Sequence, residues 1–430
     1  MPGLEIRPLT PADDMAAQVD LGERAFGPYS AAQRANWVAD AELRVSQQAF
    51  LGAFVDGAPA GAAIFHDMRQ WWAGRAVPCA GVASVKVAPE HRGRGIGRRL
   101  MTAALDAIAA RGYPLSVLFP ATMPLYRSLG WELAGGRYQA TIPARSLRTL
   151  MPPDAAASGH GAAGSGTTGH GTAGHGSGGH GSGGHGAAAP GVRRASAADA
   201  AAVIETIGRV HEAARDSGPV TWDTGPAERW LARPDLYAYR TDDGFAAYRW
   251  ARGNEELFVE RVQAATPESA RALWAVIASH ASIASTIRAV VAPNDPFWWL
   301  TRERDATITK RSMWMLRVVD APAAIAARGF PAAVCVSVPL VISDHARPVN
   351  SGSWRLSVSG GKGMLIPDER GILPAADAAF TLGARGFAAL YAGTPTATLR
   401  LAGLASGGSP GTDAALDAAF AATAFMLDDF

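Results

Sequence analysis

The hydrophobic and polar positions of the first 150 residues alternate between the period of a strand and the period of a helix. Apolar runs bounded by turn residues predict strands at Leu4–Pro8, Gln48–Val55 and Ala60–His66. The turn Asp56-Gly57 joins the last two strands as a hairpin. These short strands indicate a sheet with part of its surface covered by helices.

The first helical pattern is "LTPADDMAAQVDLGERAF", which follows the first strand. Thr10 is a suitable N-cap for it, and Pro11 suits the first helical position because its missing N–H would lack a partner there. We therefore expect a helix that begins close to Pro11.

A second strand-to-helix passage follows in "VASVKVAPEHRGRGIGRRLMTAAL". Val82–Val87 is predicted as a strand that stops before Pro89, and "YPLSVLFP" as the next strand. Gly112 is placed to end the intervening helix. One face of that helix carries the apolar residues Ile96, Leu100, Ala104, Leu105 and Ile108. Residues 1–153 are therefore predicted to form an α/β unit with a mixed sheet.

Residues 193–318 repeat this order of elements. A hairpin is predicted around Asp242-Asp243-Gly244, and "VQAATPESARALWAVIA" aligns with the strand, turn and helix of the first unit. The second copy lacks the glycines of the turn and has the ordinary helix cap Thr266-Pro267-Glu268 instead. We infer a duplicated fold in which one copy is active.

Residues 319–430 have a different pattern, which predicts an α+β third domain. Here "AAVCVSVPLVIS", "GSWRLSVSGG" and "TATLRLAGLA" are predicted strands. A closing helix is expected from Thr412 to the terminus, with its apolar positions at Leu416, Phe420, Met426 and Leu427.

Residues 154–192 are composed almost wholly of Gly, Ala, Ser, Thr and His and have no apolar face to bury. We expect a flexible linker or loop there, because ordering such a segment would cost conformational entropy without return. Three neutral imidazoles could chelate a divalent metal, but incidental weak affinity is the favoured interpretation. The five histidines of this segment are His160, His170, His175, His180 and His185.

Composition narrows the class of protein further. Forty basic residues against thirty-eight acidic ones give a net charge near +2, which is no reason to expect a nucleic acid or membrane partner. Cys79 and Cys335 each lie among apolar neighbours and are predicted to be buried free thiols. With neither a signal pattern nor an apolar run of membrane-spanning length, a soluble cytoplasmic protein is expected.

The turn Arg92-Gly93-Arg94-Gly95-Ile96-Gly97 joins a strand to a helix and has the features of an anion site. Glycine allows close backbone approach, the first N–H groups of a helix lack partners, and the helix dipole favours negative charge. The P-loop and G-x-G-x-x-G patterns are both absent, which argues against those two classes of nucleotide site. A phosphate or pyrophosphate of another kind is expected.

The spacing Arg92-x-x-Gly95-x-Gly97 after an apolar strand resembles the pyrophosphate loop of the GNAT N-acetyltransferases. The resemblance implies that this loop, including Gly93, Arg94 and Ile96, holds the pyrophosphate of acetyl-coenzyme A. It also implies that the backbone of the preceding strand, at Val85, Lys86 and Val87, pairs with the pantetheine arm. No metal is required.

"PLYRSLGWELAG" resembles a second segment of that family, in which a tyrosine protonates the departing thiolate. In this chain the tyrosine is Tyr126, which would act as general acid. A phenol with a pKa of roughly 10 suits this role because it is protonated at neutral pH. Without the glycine loop beside it, Tyr126 would be interpreted as a packing residue.

The plan of an active GNAT unit, a glycine-poor copy and an α+β domain is similar to the Eis (enhanced intracellular survival) family. That resemblance implies a sterol-carrier-like third domain, a hexamer, and amine substrates such as aminoglycosides or other polycations. It also implies that the terminal carboxylate, here that of Phe430, acts as general base. Asp428 and Asp429 would make the pocket anionic, and Phe26, Trp37 and Asp429 are the candidate substrate contacts.

Two other functions remain open from the sequence. The chain could acetylate lysine side chains or N-termini of proteins and peptides. Alternatively, it could bind an acyl-coenzyme A or a lipid without catalysis. Comparing turnover of peptides and small amines would separate the first alternative, and coenzyme A binding without turnover would indicate the second.

Overall fold

The structure, a computed structural model, describes residues 3–150, 191–368 and 379–430. The five histidines and nearly all of the predicted linker therefore lie outside the described residues.

The first unit has the alternation of strands and helices that its hydrophobic pattern predicts. Its strands are β1 Leu4–Pro8, β2 Phe50–Val55, β3 Ala58–Trp72, β4 Arg75–Val87, β5 Leu115–Leu118 and β6 Glu132–Pro143. Its helices are α1 Met15–Phe26, α2 Ala31–Ser46, α3 Ile96–Ala110 and α4 Met123–Arg127. The β2–β3 hairpin turns at the predicted Asp56-Gly57, and Gly112, with φ +75°, follows the end of α3 as expected.

The predicted start of the first helix is wrong. Helix α1 begins at Met15, and the side chain of Asp14 caps it by accepting a hydrogen bond from Ala16 N. The carboxylate of Asp13 accepts hydrogen bonds from the backbone N–H and the hydroxyl of Thr10, and it pairs with Arg7 at 2.7 Å. These bonds hold residues 10–13 in a turn, so the helix cannot start there.

The second unit contains strands β7 Arg193–Ala195, β8 Val220–Thr221, β9 Tyr237–Arg240, β10 Gly244–Ala251, β11 Glu256–Ala264, β12 Thr286–Val291 and β13 Thr307–Val318. Its helices are α5 Ala200–Ala214, α6 Thr224–Leu231, α7 Pro267–Ala278 and α8 Phe297–Leu300. The predicted hairpin is formed by β9 and β10, which pair antiparallel. The two units share the motif of a strand, a helix and a parallel neighbouring strand, as β4–α3–β5 and β11–α7–β12.

The start of α7 explains why the second copy cannot hold an anion as the first could. The hydroxyl of Thr266 accepts a hydrogen bond from Ser269 N, and the Ser269 hydroxyl donates to the carboxylate of Asp243. Burial raises the pKa of Asp243, but the hydrogen bonds from Ser269, Thr266 and Thr241 more than offset it, so the pKa is lowered. A carboxylate of the chain itself therefore lies at this helix start.

Strand β13 joins the two units into one continuous sheet. It lies between β5 and β6 and is antiparallel to both, while β6 pairs on its other side with β12. The described strands of the sheet follow the order β1-β2-β3-β4-β5-β13-β6-β12-β11-β10-β9-β7, with β8 beside β3. The last strand of the second unit thus completes the sheet of the first.

The third unit packs a five-stranded sheet against helices, in the order β16-β15-β14-β17-β18 among the described strands. The strands are β14 Val336–Ser343, β15 Gly352–Ser359, β16 Lys362–Pro367, β17 Phe380–Gly383 and β18 Ala405–Ser406. The helices are α9 Ala321–Ala327, α10 Ala384–Tyr391, α11 Thr396–Leu401 and α12 Pro410–Ala419. Strand β19 Phe425–Met426 leaves this unit and pairs with β6.

Two predictions for the third unit are wrong. "TATLRLAGLA" forms helix α11 in its first part, because Thr396 and Leu399, three residues apart, are buried while Leu401 is exposed. The closing helix ends at Ala419 instead of continuing to the terminus. Beyond it the chain is drawn into other hydrogen bonds, since Phe425 N donates to Ser217 O at 3.0 Å.

The third unit is fixed to the first by a shared apolar core around Arg328. This guanidinium is fully buried, and the rings of Trp72, Phe330, Tyr391 and Phe420 lie 4.5–5.7 Å from it. Burial lowers the pKa of Arg328 to about 10, so the group stays charged at neutral pH. Cys79 is buried in the same core, but Cys335 is exposed, contrary to expectation.

Candidate active site

The central feature of the site is the divergence of β4 and β5. The two strands pair in parallel only from Cys79 to Gly81, against Leu115 to Val117. Strand β4 continues to Val87, whereas β5 ends at Leu118. Beyond Gly81 none of the described strands lies beside β4 on the β5 side, and an extended ligand could hydrogen-bond to this edge.

The glycine turn lies at the end of that free edge. Gly93 and Gly95 have φ values of +75° and +78°, which only glycine adopts readily, and Gly95 caps α3. The backbone N–H groups of residues 93–98 find no acceptor among the described residues. These amides and the start of α3 form a cradle suited to a phosphate group.

Space and charge around the turn fit the same ligand. A Cβ atom added at Gly93 or Gly95 would meet nothing within 4 Å, so both face open space. Ile96 is buried and anchors the helix start. The exposed arginines beside the turn form no ion pair with a described carboxylate, and they are Arg92, Arg94, Arg98 and Arg99.

The three strand residues before the turn differ in their side-chain surroundings. Val85 and Val87 pack against the apolar cluster that contains α3. Lys86 points to the other face, where Nζ donates to Gln18 O at 3.0 Å and lies 4.3 Å from the ring centre of Trp37. Burial lowers the pKa of Lys86 to about 8. A ligand along this strand would therefore meet its backbone, not the lysine side chain.

Tyr126 lies on the short helix α4, after β5. It is buried, and its ring packs at an edge against Trp131 with ring centres 6.4 Å apart. It belongs to the same apolar cluster as Val82 and Leu118, two residues at the divergence of the strands. Burial raises the pKa of Tyr126 to about 12, so the phenol carries its proton throughout the neutral and mildly alkaline range.

The last residues of the chain return to the first unit along β6. Phe425 and Met426 pair in parallel with Gly136 and Arg137, and Arg137 Nε donates to Leu427 O at 3.0 Å. Two glycines make room for this segment. A Cβ atom at Gly135 would lie 2.3 Å from Ala424 O, and one at Gly218 would lie 2.2 Å from Phe425 O.

The terminal residue reaches the divergence of the strands. The Phe430 ring is so close to Gly81 that a Cβ atom there would lie 3.0 Å from it. The ring centre of Phe430 is 5.4 Å from that of Phe119, 6.1 Å from Trp222 and 6.4 Å from His66. The aromatic side chain of Phe430 therefore lies beside the strand gap.

A cavity of about 650 Å³, here called the junction cavity, lies between the first two units and the tail, which consists of residues 424–430. Its walls come from α2, β3, β6, α5, β8, α6, β10, β11, β12 and β13, together with residues 427–430. Asp429 and Phe430 line it. Phe26 and Trp37 do not, because Phe26 is an exposed residue at the end of α1 and Trp37 packs over Lys86 and against Phe50. Phe26 and Trp37 thus lie outside the junction cavity, and their role as substrate contacts stays a prediction.

The residues that line this cavity do not give it the anionic character expected of the substrate pocket. Eight basic side chains face four acidic ones and the terminal carboxylate, a formal excess of three positive charges. Asp428 does not act as a free charge, because it pairs with Arg261 at 2.6 Å. The basic residues are Arg44, Arg137, Arg229, Arg233, Arg249, Arg261, Arg288 and Lys310, and the acidic ones are Asp40, Glu260, Asp428 and Asp429.

His66 is a cavity residue that the sequence did not single out. It lies on β3, is buried, and packs edge-on against Trp222 and Phe430. Burial, reinforced by the charge of Arg44, lowers the pKa of His66 to about 4, so its imidazole is neutral at pH 7. A lone histidine in an apolar strand carries no sequence signal of this position.

Two kinds of feature are absent from the residues that the structure describes. None of their helices is long and apolar enough to cross a membrane. They also contain no cluster of three or more His, Cys, Asp or Glu residues that could hold a metal ion.

Family models agree with this architecture. Two models described as an acetyltransferase (GNAT) domain match residues 5–134 and residues 216–318. A model described as a sterol carrier protein domain matches residues 321–427. The three matches follow one another along the chain in the order of the three structural units.

Several N-acetyltransferases are similar to this chain along most of its length. A GCN5-related N-acetyltransferase from Kribbella flavida is 39% identical, with a TM-score of 0.86 and coverage of 99% of this chain and 98% of its own. Eis1 from Mycobacterium abscessus is 25% identical, with a TM-score of 0.71 and coverage of 99% and 100%. The N-acetyltransferase Eis of Mycobacterium tuberculosis is 28% identical over 318 residues, which cover 72% of this chain and 71% of that protein.

Proposed function

Because this chain belongs to the GCN5-related N-acetyltransferases, and within them to the Eis family, we propose that it transfers the acetyl group of acetyl-coenzyme A directly to a primary amine, with Tyr126 and the Phe430 carboxylate as its catalytic groups. The proposal rests on one contact. The ring of Phe430 lies against Gly81, the last residue of β4 that pairs with β5. The chain end is thus beside the gap in which a thioester would be presented.

The residues around the strand gap fit acetyl-coenzyme A. The unpaired amides of residues 93–98 and the exposed arginines would hold its pyrophosphate. The free edge of β4 at Val85 and Val87 would hydrogen-bond to its pantetheine arm. The bound molecule supplies an acetyl group activated as a thioester.

The two catalytic groups have complementary proton chemistry. A terminal carboxylate has a pKa near 3.5, so it is ionised at neutral pH and can accept a proton from an ammonium group, directly or through water. The Tyr126 phenol is protonated at the same pH and can donate to the sulfur as the carbon–sulfur bond breaks.

The test is the release of free thiol from acetyl-coenzyme A, measured with a panel of amines. The panel contains kanamycin and polyamines, because a polycation is the acceptor predicted from the sequence, together with lysine peptides and small charged amines. Turnover of at least one amine supports acetyl transfer. Coenzyme A binding without turnover of any amine would instead favour a non-catalytic acyl-coenzyme A-binding protein.

A further inference from the structure

We propose that the acceptor amine carries an anionic group, such as a carboxylate or a phosphate, which binds the excess positive charge of the junction cavity. This inference rests on the proposed acetyl transfer, because it assigns the junction cavity to the acceptor. The cavity contains Asp429 and Phe430 and therefore adjoins the proposed base. None of the residues of the glycine turn lines it, so its cations are not those that would hold the pyrophosphate.

The acidic side chains of the cavity are largely neutralised within the protein. Glu260 pairs with Arg233 at 3.1 Å and with Arg249 at 3.2 Å. Asp40 pairs with Arg44 at 3.0 Å, and Asp428 with Arg261 at 2.6 Å. A cationic ligand would have to compete with these arginines for every one of those carboxylates.

Several basic groups have no such partner. Arg137, Arg229 and Lys310 form no ion pair with any carboxylate in the described ranges. Arg288 pairs with Glu256, which does not line the cavity. Arg137 binds the tail at Leu427, whereas Arg229 and Lys310 are exposed and bind no part of it. Their charges are therefore available to a ligand.

The sheet brings two of these groups onto the floor of the cavity. Lys310 on β13 stands opposite Gln139 on β6, and Arg137 is two residues from Gln139 on the same face. Trp222, Trp230 and Phe258 supply apolar walls nearby. The lining therefore suits an anionic head beside a small apolar body, in the manner of most small-molecule sites.

The same charges affect the reacting amine. Positive side chains lower the pKa of a neighbouring ammonium group, which increases the fraction of free amine that can attack. A polycation would add several like charges to a cavity that already has an excess of three. An amine with one anionic group avoids that repulsion.

Matched pairs of amines test the inference. Lysine and cadaverine differ by one carboxylate, and O-phosphoethanolamine and ethanolamine differ by one phosphate. At low ionic strength we expect kcat/KM to be about ten-fold or more higher for at least one anionic member than for its partner. The advantage should shrink between 0.05 and 0.5 M salt, because salt screens the cavity charge.

A charge-reversal variant tests whether the preference for anionic amines arises from the junction cavity. Lys310→Glu should lower kcat/KM for the anionic member on the order of ten-fold and raise it for cadaverine, with unchanged affinity for coenzyme A. Lys362→Glu makes the same chemical change on the exposed edge strand β16, away from the cavity, and should behave as wild type.

The outcomes separate the two proposals. Equal rates within each pair, a preference for polycations, or an equal effect of Lys310→Glu on both members would overturn the anionic acceptor while leaving acetyl transfer in place. Turnover of no amine at all would overturn the acetyl-transfer proposal and the present one with it.

Discussion

Phe430 and Tyr126 approach the divergence of β4 and β5 from opposite faces of the sheet. Phe430 packs against Gly81 and Phe119, whereas Tyr126 shares an apolar cluster with Val82 and Leu118, the adjacent residues on the same two strands. Neighbouring residues of a strand point to opposite faces. The residues proposed as proton acceptor and proton donor thus flank one gap, as direct transfer between two ligands would require.

Extending the chain beyond Phe430 tests the terminal carboxylate. Two added glycines convert it into a neutral amide, which cannot accept a proton, so we expect kcat to fall at least 100-fold. Coenzyme A affinity, measured by titration calorimetry, should not change. The same two glycines added at the N-terminus are the control. An extended enzyme with the wild-type kcat would disprove the role of the carboxylate.

Tyr126→Phe removes one hydroxyl from a buried ring. We expect kcat to fall 100-fold or more, with little change in thermal stability or in coenzyme A affinity. Tyr237→Phe, on strand β9 of the second unit, is the matched control. Since burial raises the pKa of Tyr126 to about 12, the rate of the wild type should not decline below pH 10 through this group. Wild-type kcat in the phenylalanine variant would exclude Tyr126 as the acid.

Gly97→Ala separates ligand binding from folding. A Cβ atom at Gly97 would lie 3.6 Å from Leu125 and Val87, an ordinary contact, and alanine favours a helix by up to about 1 kcal/mol. The free energy of unfolding should therefore stay equal or rise. The methyl group would lie beside Val87, on the strand proposed to hold the pantetheine arm and at the start of the helix proposed to hold the pyrophosphate, so the Kd for coenzyme A should rise at least ten-fold. Gly208→Ala, in α5, is the control, and an unchanged Kd at Gly97 would argue against the cradle.

Gly135→Ala should displace the tail without a direct effect on the glycine turn. Its Cβ atom would lie 2.3 Å from Ala424 O, so the backbone of residues 424–426 must shift. We expect a fall in kcat of at least ten-fold and a loss of stability of about 1–3 kcal/mol. In a chain truncated after residue 423 the same substitution should have no further effect on kcat. An additive loss there would mean that Gly135 acts independently of the tail.

His66 should make stability depend on pH. Its pKa falls from about 6.5 in an unfolded chain to about 4 in the folded protein, so the unfolded state binds more protons between these values. The free energy of unfolding should therefore decrease as the pH falls from 6.5 to 4, by up to about 1.4 kcal/mol per pH unit. His66→Gln should remove that part of the slope in urea unfolding at pH 7, 6 and 5. An identical slope in the variant would contradict the depressed pKa.

The sequence by itself determined the features that depend only on residues close together in the sequence. Gly95 and Ile96 begin a helix after a strand because glycine adopts the left-handed conformation and the next residues bury one helical face. The hairpin turn at Asp56-Gly57 and the cap at Thr266 followed from equally local rules. For the same reason the sequence alone distinguished the copy with the glycine turn from the copy without it. The role of Phe430 is implied only by the family resemblance, because a phenylalanine carries no catalytic signal of its own.

The tertiary structure decided the features that depend on contacts between distant segments of the chain. The insertion of β13 between β5 and β6, and the bond from Arg137 to Leu427 across 290 residues, join parts of the chain with no local pattern in common. The charge of the junction cavity is the sum of side chains from three separate parts of the chain. "DDF" alone suggested an anionic pocket, but Arg261 neutralises Asp428 and further arginines surround it. Electrostatic potential depends on spatial proximity, and only the fold sets that proximity.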